Sequence, residues 1–150
     1  MKAKTWLFTI GVAASCYSYS ASAVLGGDEA SVQADRLQMN GTIRTTQSGG
    51  FTLHEIQAVS GTAVKEYVSP AGVVFALSWT GPSLPDLRQL LGPYFDTYVE
   101  AANAQRTGLG PINVQQPGLV VQSGGKMRAF VGRAYVPSMI PPGVTAGEIQ

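Results

Sequence analysis

Residues 51–98 read FTLHEIQAVSGTAVKEYVSPAGVVFALSWTGPSLPDLRQLLGPYFDTY, and no other run constrains the fold as much. Three apolar, β-branched segments are separated only by Ser60-Gly61 and Pro70-Ala71-Gly72, which predicts consecutive antiparallel strands. After Gly81-Pro82 the apolar residues change to helical spacing: Leu87, Leu90, Leu91, Tyr94, Phe95, Tyr98 and Val99. The unit therefore predicts a sheet closed by one amphipathic helix. Composition agrees, since only 13% of the 150 residues are charged and the chain holds 18 Gly and 9 Pro. That balance suits a strand-rich domain with many turns and excludes a coiled coil or a highly charged disordered chain.

The turns set the register. Ser60-Gly61 reads as a two-residue hairpin connection, which places Glu55 opposite Glu66 and His54 opposite Tyr67. Pro70-Ala71-Gly72 reads as a three-residue loop, with Pro fixing φ at the first turn position and Gly taking the left-handed third. Tyr67 then faces Phe75, and Lys65 faces Leu77. Ala63, Tyr67, Phe75, Leu77 and Trp79 would share the helix-facing side with Ile56 and Ala58. Glu55 and Glu66 would fall on the other side, beside Val64 and Ala76. A loop of four residues would bring both carboxylates among Phe75, Leu77 and Trp79, where ionised groups cost several kcal/mol each to desolvate.

Ser83, with Asp86 three residues on, reads as the cap of the helix, and Pro93 kinks or restarts it at Gly92-Pro93. The apolar stripe holds its phase across the break, so both halves should pack on one sheet. Each large apolar side chain fully buried there contributes roughly 1.5–3 kcal/mol. Residues 28–39 predict a short helix, acidic at its start and closed by Asn40-Gly41, with a thin apolar side of Ala30, Ala34 and Leu37. Residues 42–50 read as a loop or frayed edge strand, and residues 105–118 as a Gly/Pro/Gln-rich loop. A second hairpin, residues 119–123 and 126–136, should turn at Gly124-Gly125. The whole is α+β: an antiparallel sheet of about five strands packed on one kinked amphipathic helix, plus the short N-terminal helix. The core domain is residues 51–136, residues 24–50 lead into it, and residues 137–150 form a Pro-rich extended tail.

The N-terminus carries an address. Lys2 and Lys4 precede an apolar run over residues 6–14, and Ala21-Ser22-Ala23 is an A-x-A cleavage pattern. The run is shorter than the ~20 residues a bilayer span requires. Residues 1–23 thus predict a signal peptide cleaved after Ala23, and a periplasmic or secreted product with no transmembrane segment. Cys16 stands in a degenerate lipid-attachment pattern, with Ala13 where Leu is usual, so lipid anchoring is not expected. Cleavage would leave no cysteine. Losing Lys2 and Lys4 from ten Lys and Arg leaves eight against nine Asp and Glu, a net charge of −1 that gives no reason to expect nucleic acid.

The strings YVSPAGVVFALSWTGPSLPDLRQLLGPYF and GGKMRAFVGRAYVP resemble the small exported proteobacterial proteins grouped as domain-of-unknown-function family 2844. The resemblance runs from Leu25-Gly26-Gly27 to the Pro-rich tail. It implies no activity, cofactor or catalytic residue.

Glu55 and Glu66, with Cβ atoms about 5 Å apart in the expected register, are the pair that could share a proton or hold a cation. Structural ion pairs are commoner than sites, and Arg128 or Arg133 on a neighbouring strand could neutralise them. His54, the only histidine, reads as a packed side chain. No nucleophile elbow, phosphate loop or zinc spacing occurs. Trp79, Tyr94, Phe95 and Tyr98 could line a ligand groove but coincide with the core stripe. Lys126, Arg128 and Arg133 form at most a small basic patch. These residues predict a non-enzymatic envelope-binding module without a cofactor, contacting a protein partner through Glu55, Glu66, Arg128, Arg133 and the tail. The alternative is a small-ligand binder or hydrolase using Glu55, Glu66 and His54.

Overall fold

The computed structural model describes residues 25–105 and 110–150. The expected leader and Cys16 lie outside the described residues. Within them the architecture is α+β, with helices α1 (Glu29–Gln38), α2 (Leu87–Leu91) and α3 (Phe95–Gln105). The strands are β1 (Thr42–Ser48), β2 (Phe51–Gln57), β3 (Ala63–Val68), β4 (Val74–Gly81), β5 (Ile112–Gln116), β6 (Leu119–Lys126) and β7 (Ala129–Tyr135). They form one antiparallel sheet in the order β1-β2-β3-β4-β7-β6-β5. Seven strands replace the expected five. Of the two beyond that number, β1 (TIRTTQS) takes the edge-strand alternative read for residues 42–50, and β5 (INVQQ) is a polar edge strand inside the expected loop of residues 105–118, with little apolar alternation to announce it.

The helices cover one face. Leu90 and Leu91 are fully buried and Tyr98 nearly so, packing with Ile56, Val64, Leu77, Trp79, Val121 and Ala134. The expected break occurs: α2 ends at Leu91, Gly92–Tyr94 forms a 3-10 turn around Pro93, and α3 continues the cover. The cap is Asp86 rather than Ser83, because the Asp86 carboxylate accepts from the amides of Arg88 (2.9 Å) and Gln89 (3.2 Å). Helix α1 lies on the same face but turns a different side inward than its apolar spacing predicts. Ser31, Val32 and Asp35 are buried, while Leu37 is 62% exposed.

The tail covers the opposite face. Residues 137–150 run back through two 3-10 turns, Pro137–Met139 and Ala146–Glu148, and bury Ile149 against Tyr67, Phe75 and Ala76. Arg133 Nη1 donates to the carbonyl oxygens of Ala146 (2.8 Å) and Ile149 (3.3 Å), and Tyr67 Oη donates to that of Gln150 (2.8 Å).

Two one-residue shifts reverse much of the expected facing. The first hairpin closes with Ala58 paired to Thr62 across Val59, Ser60 and Gly61, a three-residue loop in which Gly61 takes φ +88°. The Pro70-Ala71-Gly72 loop forms as expected, with Gly72 at φ +77° and Ser69 bonded to Val73. A bulge follows it: Val68 pairs with Val74 but Tyr67 pairs with Ala76, leaving Phe75 as the extra residue. Consequently Glu66, Leu77, Val64 and Ile56 share the helix face, whereas Ala63, Lys65, Tyr67 and Phe75 lie on the tail side. Phe75 thus sits away from the helices, contrary to expectation. The second hairpin turns at Met127-Arg128, with Arg128 at φ +66°, and Gly124 and Gly125 stay within β6. A Cβ on Gly125 would come 2.3 Å from the Ala129 carbonyl oxygen, so that glycine is needed for close backbone approach rather than for a turn.

Candidate functional site

The residues expected to act together are divided between the faces. Glu55 pairs with Lys65 and His54 with Glu66, so the two glutamates point to opposite sides of the sheet. Arg128 is exposed at the hairpin tip, whereas Arg133 lies in mid-strand on the tail side, so neither a single acidic pair nor a basic patch is formed.

On the helix face, Glu66 and Asp35 are both fully buried. No N–H or hydroxyl reaches either Glu66 oxygen. Burial first, and then the adjacent Asp35 carboxylate, raise the Glu66 pKa from its ordinary 4.5 to about 9, and Glu66 keeps its proton and hydrogen-bonds Asp35. Gln89 Nε2 donates to Asp35 Oδ1 (2.5 Å), tying α2 to the same pair. Beside them, His54 Nδ1 meets Thr45 Oγ1 (2.9 Å) and Nε2 meets Glu29 Oε1 (3.2 Å). The cluster joins α1 and α2 to β1, β2 and β3. Its partners are within the chain, and its chemistry is that of a buried structural network.

The tail side is different. Pairing aligns Lys65, Ser78, Arg133, Gln122 and Asn113, one residue from each of β3, β4, β7, β6 and β5, in a polar row across the sheet. The next row toward the hairpin tip is small and apolar: Ala63, Thr80, Val131 and Gly124. Between these rows, with Ile149 and Gln150 as one wall and Pro111 as another, lies a groove of about 560 Å³. That volume is within the roughly 300–1,000 Å³ usual for ligand sites. It contains two cations and no Asp or Glu. Lys65 Nζ donates to the main-chain oxygen of Gln150, the last residue of the sequence (3.1 Å), and Arg133 Nε to Gln122 Oε1 (2.7 Å).

A protein family of unknown function, DUF2844, matches residues 21–149, nearly all of the chain. The chain belongs to the DUF2844 family. No curated protein and no solved structure matched it.

For this DUF2844 chain, none of Glu55, Glu66 and His54 lines the groove. Of the aromatics proposed as lining, Trp79 borders it, while Tyr94, Phe95 and Tyr98 pack on the helix side. Ring packing there is tight: a Cβ on Gly132 would lie 2.3 Å from Trp79 Cζ2. Sequence reasoning found Arg133 but missed Lys65, Ser78, Gln122 and Asn113. Their alternation with apolar neighbours was visible, but their alignment depends on the register shifts. Among the described residues, no group of three or more His, Cys, Asp or Glu is placed to hold a metal, and no helix is long and apolar enough to cross a membrane.

Proposed function

We propose that this DUF2844 protein is a non-enzymatic binding module of the cell envelope, exported by a leader cut after Ala23, and that its ligand lies in the tail-side groove. The observation that carries this reading is the groove itself, where a polar row and an apolar row run side by side over about 560 Å³. The separation of Glu55 from His54 and Glu66 removes the support for a hydrolase built on those three. Envelope extracts passed over the immobilised full chain and over a Thr80→Trp variant, which fills the groove, test the site. Mass spectrometry should identify compounds retained by the first and lost by the second; equal retention by both would reject the groove. For export, the chain recovered from its native cell should begin at Val24, and an intact Met1 terminus would reject the leader.

A further inference from the structure

We infer that the end of the sheet carrying the β2–β3, β4–α2 and β6–β7 turns docks on an anionic lipid surface. A large apolar side chain exposed by itself is ordinary, but a group of them in one place is not. Among the described residues five are exposed: Leu37, Val59, Leu84, Met127 and Val131. All five lie at this end. Val59 is in the loop between β2 and β3, Leu84 in the loop between β4 and α2, and Met127 at the tip between β6 and β7. Leu37 is in the last turn of α1, and Val131 stands opposite Thr80 near the start of β7. The opposite end turns on small residues instead, at Gly49-Gly50, Pro70-Ala71-Gly72 and Pro117-Gly118. The apolar turns also touch. A Cβ on Gly61 would lie 3.2 Å from Pro82 Cγ, and Thr62 Oγ1 donates to the Ser83 carbonyl (2.8 Å). Pro82 shares one crevice with Arg128 and Phe130, and Leu84 shares another with Gln38, Met39 and Ser60.

Charge selects the occupant. Over residues 58–62, 82–86 and 126–128 the charged side chains are Asp86, Lys126 and Arg128. The Asp86 carboxylate is taken up by the amides of Arg88 and Gln89 at the start of α2. Lys126 and Arg128 are exposed on either side of Met127, itself 91% exposed, and neither has an ion-pair partner among the described residues. An apolar side chain between two cations fits a surface that is anionic outside and hydrocarbon within. The cationic heads stay at the phosphates while Met127, Val59 and Leu84 enter the acyl boundary. A fluid bilayer conforms to separate convex tips, whereas a folded partner would need a matching hollow for each. Docking here needs no ligand in the groove.

The test is flotation of the chain and its variants, recovered from the native cell, with vesicles of phosphatidylcholine alone or with about a third phosphatidylglycerol. The anionic vesicles should bind at least about tenfold more tightly, and added salt should weaken that binding. V59S and M127S together should reduce it several-fold with Tm unchanged, because both side chains are exposed. K126Q with R128N should reduce the preference for anionic vesicles several-fold. Emission from M127W should shift to the blue on anionic vesicles, whereas emission from A71W, at the opposite end, should not. No vesicle binding, binding that the V59S and M127S pair leaves unchanged, or an equal shift at A71W would each overturn the proposal. Equal affinity for the two vesicle types would overturn the anionic assignment. A solution dimer that the V59S and M127S pair dissociates, with no vesicle binding by the native chain, would overturn the lipid surface in favour of a second copy.

Discussion

On the helix-covered side of the sheet, Glu66 and Asp35 are sealed from water and answer to each other; on the tail-covered side, Lys65 and Arg133 reach main-chain oxygens of the tail. The two covers explain the contrast. Three helices bring their own side chains, so Asp35, Gln89 and Glu29 arrive with the lid and complete the polar groups beneath it. The tail brings mostly backbone and a single buried Ile149, and it leaves the sheet uncovered beyond Gln150. Charge that is matched inside the fold holds the fold together. Charge that meets the tail at the edge of a groove stays within reach of solvent and of a ligand.

The strongest way to break this comparison is at Trp79, which carries much of the helix-side core. Trp79→Ala should cost about 3–5 kcal/mol in denaturant unfolding, and a loss below 1 kcal/mol would show that the helix cover does not depend on that ring. Glu66→Gln sharpens it with the opposite sign. Because the folded-state pKa of Glu66 is raised to about 9, the native chain is most stable below pH 4.5 with respect to this group. Its stability falls as pH rises toward 9, by at most about 1.4 kcal/mol per pH unit. The glutamine still donates to Asp35 but cannot ionise, so the variant should be the more stable one at pH 8 and show a flatter stability profile between pH 5 and 9. A parallel profile would mean that Glu66 is already ionised. Gly132→Ala forces a methyl into the Trp79 ring and should cost about 1–3 kcal/mol, read as a lowered Tm. Lys65→Gln should shift stability by less than about 0.5 kcal/mol, since its bond to Gln150 is exposed. A large loss there would make Lys65 a strut of the fold rather than a feature of the groove.

The class of the fold was readable because the strongest signals were local. Leu87, Leu90 and Leu91 kept helical spacing, Pro93 marked its break, and Pro70-Ala71-Gly72 specified its own loop. What was not readable depended on distant partners. Nothing near Glu66 reveals that Asp35, 31 positions earlier, lets it stay protonated in the core, and the rule against burying an ionised carboxylate pointed to the wrong register. The turn at Arg128 gave no signal because a left-handed arginine is not a turn signature, while Gly124-Gly125 resembled one and served backbone approach instead. The polar row of the groove combines five strands, two of which lie beyond a loop that hid β5. The site therefore became visible only with the pairing.

Phe75 has a consequence for how such chains can diverge. As the odd residue of β4, it acts as a parity bit: removing it would leave Val74 and Ala76 as successive partners of Val68 and Tyr67, with Leu77 and Trp79 still on the helix face, whereas one further residue inserted beside it would turn residues 76–81 over and exchange Leu77 and Trp79 with Ser78 and Thr80. A single-residue insertion at this one site, unlike an insertion in the tail or in β5, should be incompatible with a folded chain. Single-residue insertions tolerated by relatives should accordingly avoid the segment between Gly72 and Gly81.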